Sequence, residues 1–127
     1  MTRAIIFDFY GVLYRNEKLD EDLIDFIRNL KLKYKIAIIS NIGRASFDQA
    51  MPANIQKLFD MIALSDETGY FKPYPEAFLE AVRRLDVKPE DCVMIDDTPV
   101  HVDTARLTGM RGILYSNLGQ LKMEIGG

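Results

Sequence analysis

The feature that most constrains this chain is the alternation of short, unbroken apolar runs with longer amphipathic segments. Five apolar runs cover residues 4–7, 36–39, 61–64, 93–95 and 112–115. None of them alternates with polar residues, which is typical of strands that are buried on both faces. The segments between them carry apolar residues at helical spacing. This order predicts an α/β fold, a three-layer, doubly wound, parallel sheet of five strands.

The helices of this fold have recognisable starts and ends. Asp20 is a good N-cap for a first helix that reaches Leu30, and later helices are expected over residues 44–50, 54–59, 75–85 and 99–109, with a short helix at the end. Pro75 and Pro99 occupy helix-start positions, and Gly109 is a good stop. With 127 residues, the chain is expected to form one domain over 1–127, large enough for a core without disulfides.

Charge and composition exclude several partners. The net charge is −3 and there is no basic run, so the sequence gives no signal for nucleic acid or for a membrane surface. The first apolar run is too short for a signal-peptide core, and we expect a cytoplasmic protein. Cys92, the one cysteine, lies in an apolar run and is expected to be a small buried side chain.

Polar residues follow the ends of the predicted strands. They are Asp8, Ser40 with Asn41, Ser65 with Asp66, and Asp96 with Asp97. In a doubly wound sheet the ligand binds beyond the carboxyl ends of the strands, so these side chains are expected to meet. Each one alone has an ordinary explanation as a turn residue, a helix cap or an acidic first turn.

Their chemistry is compatible with phosphoryl transfer. Ser40 and Asn41 can hold a phosphoryl oxygen, and Lys72 can offset the charge of neighbouring carboxylates. The adjacent Asp96 and Asp97 repel each other, and a magnesium ion, which prefers oxygen ligands, is the usual compensation. His101, one turn further, is expected on the helix surface or in support of another side chain.

The order of these residues resembles the four motifs of the haloacid dehalogenase-like hydrolase superfamily. The resemblance runs from Ile5 to about Tyr115, and the stretches GYFKPYPEAF at 69–78 and MIDDTPVHVDTARLTGM at 94–110 carry most of it. It implies that Asp8 is the nucleophile and forms an aspartyl-phosphate. It also implies that Ser40 binds a phosphoryl oxygen and that Lys72 orients the nucleophile.

The same resemblance implies a magnesium site. Asp97 matches the metal-binding aspartate of the family, with Asp96 as its partner. The metal would also contact a carboxylate oxygen of Asp8 and the backbone carbonyl of Tyr10.

Tyr10 departs from the phosphatases of the family, which usually carry an aspartate two residues after the nucleophile as the general acid/base. A tyrosine can donate a proton but is a poor base at neutral pH. The sequence therefore predicts slow hydrolysis of the intermediate. Asp-x-Tyr-Gly also resembles the 2-haloacid dehalogenases, which need no metal but usually lack the acidic pair and carry a cap domain.

The spacing leaves no room for a cap domain. Asp8 and Ser40 are 32 positions apart, as are Ser40 and Lys72, and each interval is filled by the predicted helices and strand. Only residues 10–19 can supply a small flap. Tyr14 and Arg15 in this flap, with Arg44 and Ser46 after the second strand, are candidate substrate contacts.

Three functions follow from these features. The favoured one is a magnesium-dependent phosphatase or phosphotransferase acting on a small or macromolecular phosphorylated substrate. The alternatives are a metal-independent dehalogenase and a non-catalytic domain that binds phosphate or a partner. A response-regulator receiver is excluded, because its acidic pair follows the first strand. The aromatic residues Tyr70, Phe71 and Tyr74 indicate either an interface between copies of the chain or packing against the sheet.

Overall fold

Fourteen helices and strands make up the fold of the computed structural model, which describes residues 1–126. The strands are β1 (Ala4–Phe7), β2 (Tyr14–Arg15), β3 (Lys18–Leu19), β4 (Lys35–Ser40), β5 (Met61–Leu64), β6 (Cys92–Asp96) and β7 (Arg111–Leu114). The helices are α1 (Glu21–Leu30), α2 (Arg44–Ala50), α3 (Ala53–Gln56), α4 (Ser65–Thr68), α5 (Pro75–Leu85), α6 (Pro99–Leu107) and α7 (Leu118–Gly126). A single 3-10 turn covers Pro89–Asp91.

Five parallel strands form one sheet in the order β5-β4-β1-β6-β7. β1 lies at the centre, with Phe7 opposite Ile38 of β4 and Ile95 of β6. All four residues of β1 are buried, as the unbroken apolar run predicts. The predicted α/β fold with a doubly wound, five-stranded parallel sheet is confirmed.

The core has two halves, one on each face of the sheet. Ile5 and Phe7 of β1 belong to one cluster, whereas Ala4 and Ile6 belong to the other. The first cluster includes residues of α1, α2 and α7, and the second includes residues of α5 and α6. This division follows from the alternation of side chains along a strand and gives the expected three layers. Cys92 is buried, as expected.

Several element boundaries differ from the sequence prediction. The third helix ends at Gln56 rather than at Phe59. The reason is that the chain must reach β5: Asp60 already pairs with Ile36 through backbone and side chain, with distances of 2.7 and 2.8 Å. Phe59 still packs into the core, but from irregular backbone. The helix expected over 99–109 ends at Leu107, and β7 begins at Arg111.

The predicted flap is a β-hairpin made of β2 and β3. Its two turn residues, Asn16 and Glu17, both have positive φ, 54° and 61°, as a two-residue hairpin turn requires. Arg15 connects the hairpin to the end of β7, because its guanidinium donates to the Ser116 carbonyl at 3.4 Å and lies 5.4 Å from the ring centre of Tyr115.

The intervals between the site residues contain no cap domain within residues 1–126. The interval from Asp8 to Ser40 holds the hairpin, α1 and β4, and the interval from Ser40 to Lys72 holds α2, α3, β5 and α4. The short helix α4 was not expected from the sequence. In the described part of the chain, no helix has the length and apolar character needed to cross a membrane. Tyr70, Phe71 and Tyr74 are all exposed, so they do not pack against the sheet, and their role as an interface stays a prediction.

Candidate active site

A buried lysine joins two carboxylates at the carboxyl end of the sheet. Lys72 is only 4% exposed, and its Nζ donates to Asp8 Oδ1 at 2.8 Å and to Asp96 Oδ2 at 2.7 Å. Asp8 follows the central strand β1, and Asp96 ends its neighbour β6. Parallel neighbouring strands end at the same edge of the sheet, and this brings together residues that lie 88 positions apart in the sequence.

The two oxygens of Asp8 have different surroundings. Oδ1 accepts from the Lys72 ammonium and from the backbone N–H of Phe9, both at 2.8 Å. Oδ2 accepts no hydrogen bond from any residue in the range 1–126. Burial raises the pKa of Asp8 to about 7; Lys72 opposes this rise and the nearby Asp96 adds to it. Oδ2 is therefore the oxygen available for attack or for a cation.

Asp96 is fully buried, and both of its oxygens are occupied. Oδ1 accepts from the backbone N–H of Thr98 at 3.0 Å, and Oδ2 is shared by Lys72 and by Nδ1 of His101 at 3.0 Å. Burial alone would raise the pKa of Asp96, but the charge and hydrogen bond of Lys72 outweigh it, so the pKa lies below its usual range. Lys72, Thr98 and His101 thus hold Asp96 through both of its carboxylate oxygens.

Asp97 is exposed and lies against the backbone of Gly11. A Cβ atom at Gly11, whose φ is +90°, would stand 2.1 Å from Asp97 Oδ2. One carboxylate oxygen from each of Asp8, Asp96 and Asp97 lies within 4.8 Å of the other two. Three carboxylates against one lysine leave an excess of negative charge, and an all-oxygen donor set suits Mg²⁺. The residues present fit a magnesium ion.

The side chains of Ser40 and Asn41 differ in their hydrogen bonds. Ser40 is buried at the end of β4, and its hydroxyl makes no hydrogen bond to another described residue. The amide of Asn41 is occupied at both ends: Nδ2 donates to the Lys72 carbonyl and Oδ1 accepts from the Lys72 N–H, each at 2.9 Å. The side chain of Asn41 therefore holds the loop that carries Lys72. The predicted contact of Asn41 with substrate stays a prediction.

Tyr10 stands on the rim of the site. Its side chain is 44% exposed, and its ring packs against Phe9 at 5.3 Å and against Tyr14 at 5.5 Å between ring centres. Within residues 1–126 its hydroxyl has no hydrogen-bond partner. Its backbone carbonyl immediately precedes Gly11, beside Asp97. The catalytic and metal-binding roles of Tyr10 stay predictions.

Arg44 differs from its sequence interpretation, whereas His101 adopts one of the two placements expected for it. Arg44, a candidate substrate contact, is bound by acidic side chains instead: it contacts Glu67 at 2.8 and 3.0 Å and Asp48 at 3.3 Å. His101 supports Asp96, and of the two placements expected from the sequence it adopts this one rather than the helix surface. The pairing of Arg44 with Glu67 depends on where α4 lies, and the pairing of His101 with Asp96 depends on where β6 lies. Neither partner could therefore be identified from the sequence.

Known proteins match this chain over most of its length. The sequence model described as haloacid dehalogenase-like hydrolase matches residues 15–109. A phosphorylated carbohydrates phosphatase from Thermotoga maritima is 29% identical over 122 residues, which are 93% of this chain but 56% of that enzyme. The chain thus spans about half the length of this relative.

Solved structures share the fold. An uncharacterized protein from Corynebacterium glutamicum is 30% identical, with a TM-score of 0.83, and the match covers 98% of this chain and 93% of that one. A HAD family enzyme from Bacteroides thetaiotaomicron, in complex with magnesium and inorganic phosphate, has a TM-score of 0.83 at 15% identity, with 95% of this chain and 99% of that one covered. At that identity the likeness concerns the fold alone.

Proposed function

This chain belongs to the haloacid dehalogenase-like hydrolases, and we propose that it is a magnesium-dependent phosphatase or phosphotransferase that acts through an aspartyl-phosphate on Asp8. The observation that carries this proposal is the Lys72 bridge: Lys72 fixes Oδ1 of Asp8 and leaves Oδ2 free, and the exposed carboxylate of Asp97 lies close to that of Asp8. The named activities of the phosphatase relatives support the same class of reaction.

The first half-reaction uses Asp8 as a nucleophile. Its Oδ2 attacks the phosphorus of the substrate, the bond to the leaving oxygen breaks, and that oxygen takes up a proton. Lys72 keeps the carboxylate in place through Oδ1, and the free hydroxyl of Ser40 donates to a phosphoryl oxygen. Tyr10, two residues after Asp8, is a side chain of the flap segment that can donate the proton.

In the second half-reaction, water attacks the phosphorus, the bond to Asp8 breaks, and inorganic phosphate leaves with the carboxylate regenerated. This step needs a base for the water proton, and a tyrosine hydroxyl is a poor base at neutral pH. We therefore propose that the aspartyl-phosphate is hydrolysed slowly, or passed to an acceptor alcohol, which would make the chain a phosphotransferase.

A magnesium ion would be held by Asp8, Asp97 and the backbone carbonyl of Tyr10, where it would neutralise charge and make the phosphorus more electrophilic. We favour Asp97 over Asp96 as the direct ligand, because both oxygens of Asp96 already accept hydrogen bonds from Lys72, Thr98 and His101. Asp96 then acts on the metal site only through its charge.

Hydrolysis of p-nitrophenyl phosphate tests the proposal. We expect turnover that requires magnesium, stops with EDTA and is abolished in Asp8→Asn. Asp22→Asn, an exposed aspartate on α1, is the matched control and should behave as the unmodified chain. Hydrolysis that persists in Asp8→Asn would show that the phosphoryl group is not transferred to Asp8.

The exposed Tyr10 beside Asp8 favours one second candidate, the metal-independent dehalogenase. In that reaction Asp8 would displace halide from carbon, and no leaving-group acid would be needed. Release of chloride from 2-chloropropionate in the presence of EDTA would support it. If neither reaction occurs but magnesium with beryllofluoride raises the melting temperature, the chain is a phosphate-binding domain without turnover.

A further inference from the structure

His101 lies outside the proposed catalytic set, and its side chain contacts one of the carboxylates of the site. It lies in the first turn of α6, its side chain is 16% exposed, and its Nδ1 is 3.0 Å from Asp96 Oδ2. We propose that His101 is a positioning residue: by fixing Asp96, it holds Lys72 in the orientation in which Lys72 aligns the nucleophile Asp8. This inference rests on the proposed function of the site.

Asp96 has hydrogen-bond partners on both of its carboxylate oxygens. Because Asp96 Oδ2 already accepts from the Lys72 ammonium and Oδ1 from the Thr98 N–H, His101 is assigned as a further donor, with the proton on Nδ1. Oδ2 then accepts from two directions, from Lys72 at 2.7 Å and from His101 at 3.0 Å, while Oδ1 accepts from Thr98 at 3.0 Å. Donors on both oxygens fix the plane of the carboxylate.

The position of the Lys72 ammonium depends on the plane of the Asp96 carboxylate. Its ammonium has two protein acceptors, Asp8 and Asp96. If Asp96 rotates about its side-chain bond, Oδ2 moves relative to Nζ and the ammonium shifts away from its position on Asp8 Oδ1. Thr98 restrains only the other oxygen. His101 is therefore the group that resists this rotation at the oxygen that Lys72 uses.

Two substitutions of His101 distinguish the effect of its hydrogen-bond donor from the effect of its packing. In His101→Asn, the side-chain amide places an N–H close to the position of Nδ1; in His101→Leu, a side chain of similar bulk has no donor. Val100→Ala, an exposed residue of the same helical turn, is the control. Outer partners of a catalytic site typically contribute about 10–100-fold to activity.

For p-nitrophenyl phosphate hydrolysis, we expect His101→Leu to lower kcat about tenfold with KM changed less than about twofold, because Ser40 still binds the phosphoryl group. His101→Asn should keep most of kcat. The inference is overturned if His101→Leu keeps the unmodified kcat, or if both variants lose kcat in proportion to their loss of melting temperature, which a packing role would produce.

A second measurement does not depend on turnover or on magnesium. His101 is the only histidine in the chain, so the nitrogen-15 spectrum of its imidazole, recorded in EDTA at a pH where the ring is neutral, reports one residue. We expect the Nδ1–H tautomer, whereas free imidazole side chains favour Nε2–H. Observation of Nε2–H would overturn the inference. The Nδ1–H tautomer in a chain without phosphatase activity would retain the contact and reject the proposed function instead.

Discussion

At the scale of single residues, Lys72 compensates the charge of two buried carboxylates. It is the cation between Asp8 and Asp96, all three side chains are buried, and each charge has been removed from water. Removing a charge from water costs several kcal/mol per ion, and only close contacts of opposite charge offset that cost. The lysine therefore stabilises the site as well as fixing one carboxylate oxygen of Asp8.

Replacing Lys72 by methionine should destabilise the protein by about 3–5 kcal/mol, since it leaves two buried carboxylates without their cation. The cost should be greatest near pH 8 and smaller near pH 5, because protonation of the carboxylates, whose pKa values rise without the lysine, removes their repulsion. Urea unfolding in EDTA measures this change.

The exposed Lys33 provides the matched control. Lys33→Met should change the free energy of unfolding by no more than about 0.5 kcal/mol. Equal effects of the two substitutions would show that the ammonium of Lys72 contributes little to stability.

The sequence identifies the charged residues of the site but not the residues that hold them. Asp8, Ser40 and Asp96 could be predicted because each follows a buried strand, and Lys72 because its motif lies at a known place in the order. Asn41 and His101 act through hydrogen bonds to Lys72 and Asp96. The Asn41 contact joins two loops 31 positions apart in the sequence, and no pattern of residue types encodes its geometry.

At the scale of elements, the turn that follows β1 combines a backbone requirement with a steric one. Gly11 has a φ of +90°, which is unfavourable for any residue with a Cβ, and it also faces the carboxylate of Asp97. Gly69, at the end of α4, has a similar φ of +80° but no atom within 4 Å of where its Cβ would lie. Substitutions at these two glycines therefore distinguish the cost of the backbone conformation from the cost of the contact with Asp97.

We expect Gly11→Ala and Gly69→Ala each to lower the free energy of unfolding by about 1–2 kcal/mol, the cost of a left-handed backbone with a Cβ. Only Gly11→Ala should also displace Asp97, and it should raise the magnesium concentration that gives half-maximal activity at least tenfold. Activity titrations with magnesium and urea unfolding measure the two effects. An unchanged magnesium requirement in Gly11→Ala would place the ion away from Asp97.

Elements were predictable where burial dictates the pattern. The five strands of the sheet carry unbroken apolar runs, and their positions could be predicted to within one or two residues. The end of α3 could not be predicted, because the pairing of Asp60 with Ile36 is a tertiary contact. The short hairpin and α4 contain too few residues to show a periodicity.

At the scale of the whole molecule, the site depends on the order of the strands. The sheet places β1 in the middle, so Asp8 follows a strand that has a neighbouring strand on each side and core on both faces. The residues of the rim, such as Tyr10, lie outside this frame and are exposed. No cap covers them within residues 1–126, and this open arrangement is compatible with either a small or a macromolecular phosphorylated substrate.

The central position of β1 also sets how the backbone exchanges its amide hydrogens with solvent. The N–H groups of Ile6 and of its neighbours in β1 are buried and bonded within the sheet, and that of Asp8 bonds to Ile95 at 2.9 Å. They should exchange only when the whole domain unfolds. The hairpin, with two residues in each strand, should exchange far sooner through local opening. Deuterium uptake in rising urea compares the two segments, and equal protection would contradict this picture. The exposed rim can then fluctuate on its own, while Asp8, the proposed nucleophile, keeps its place for the lifetime of the folded state.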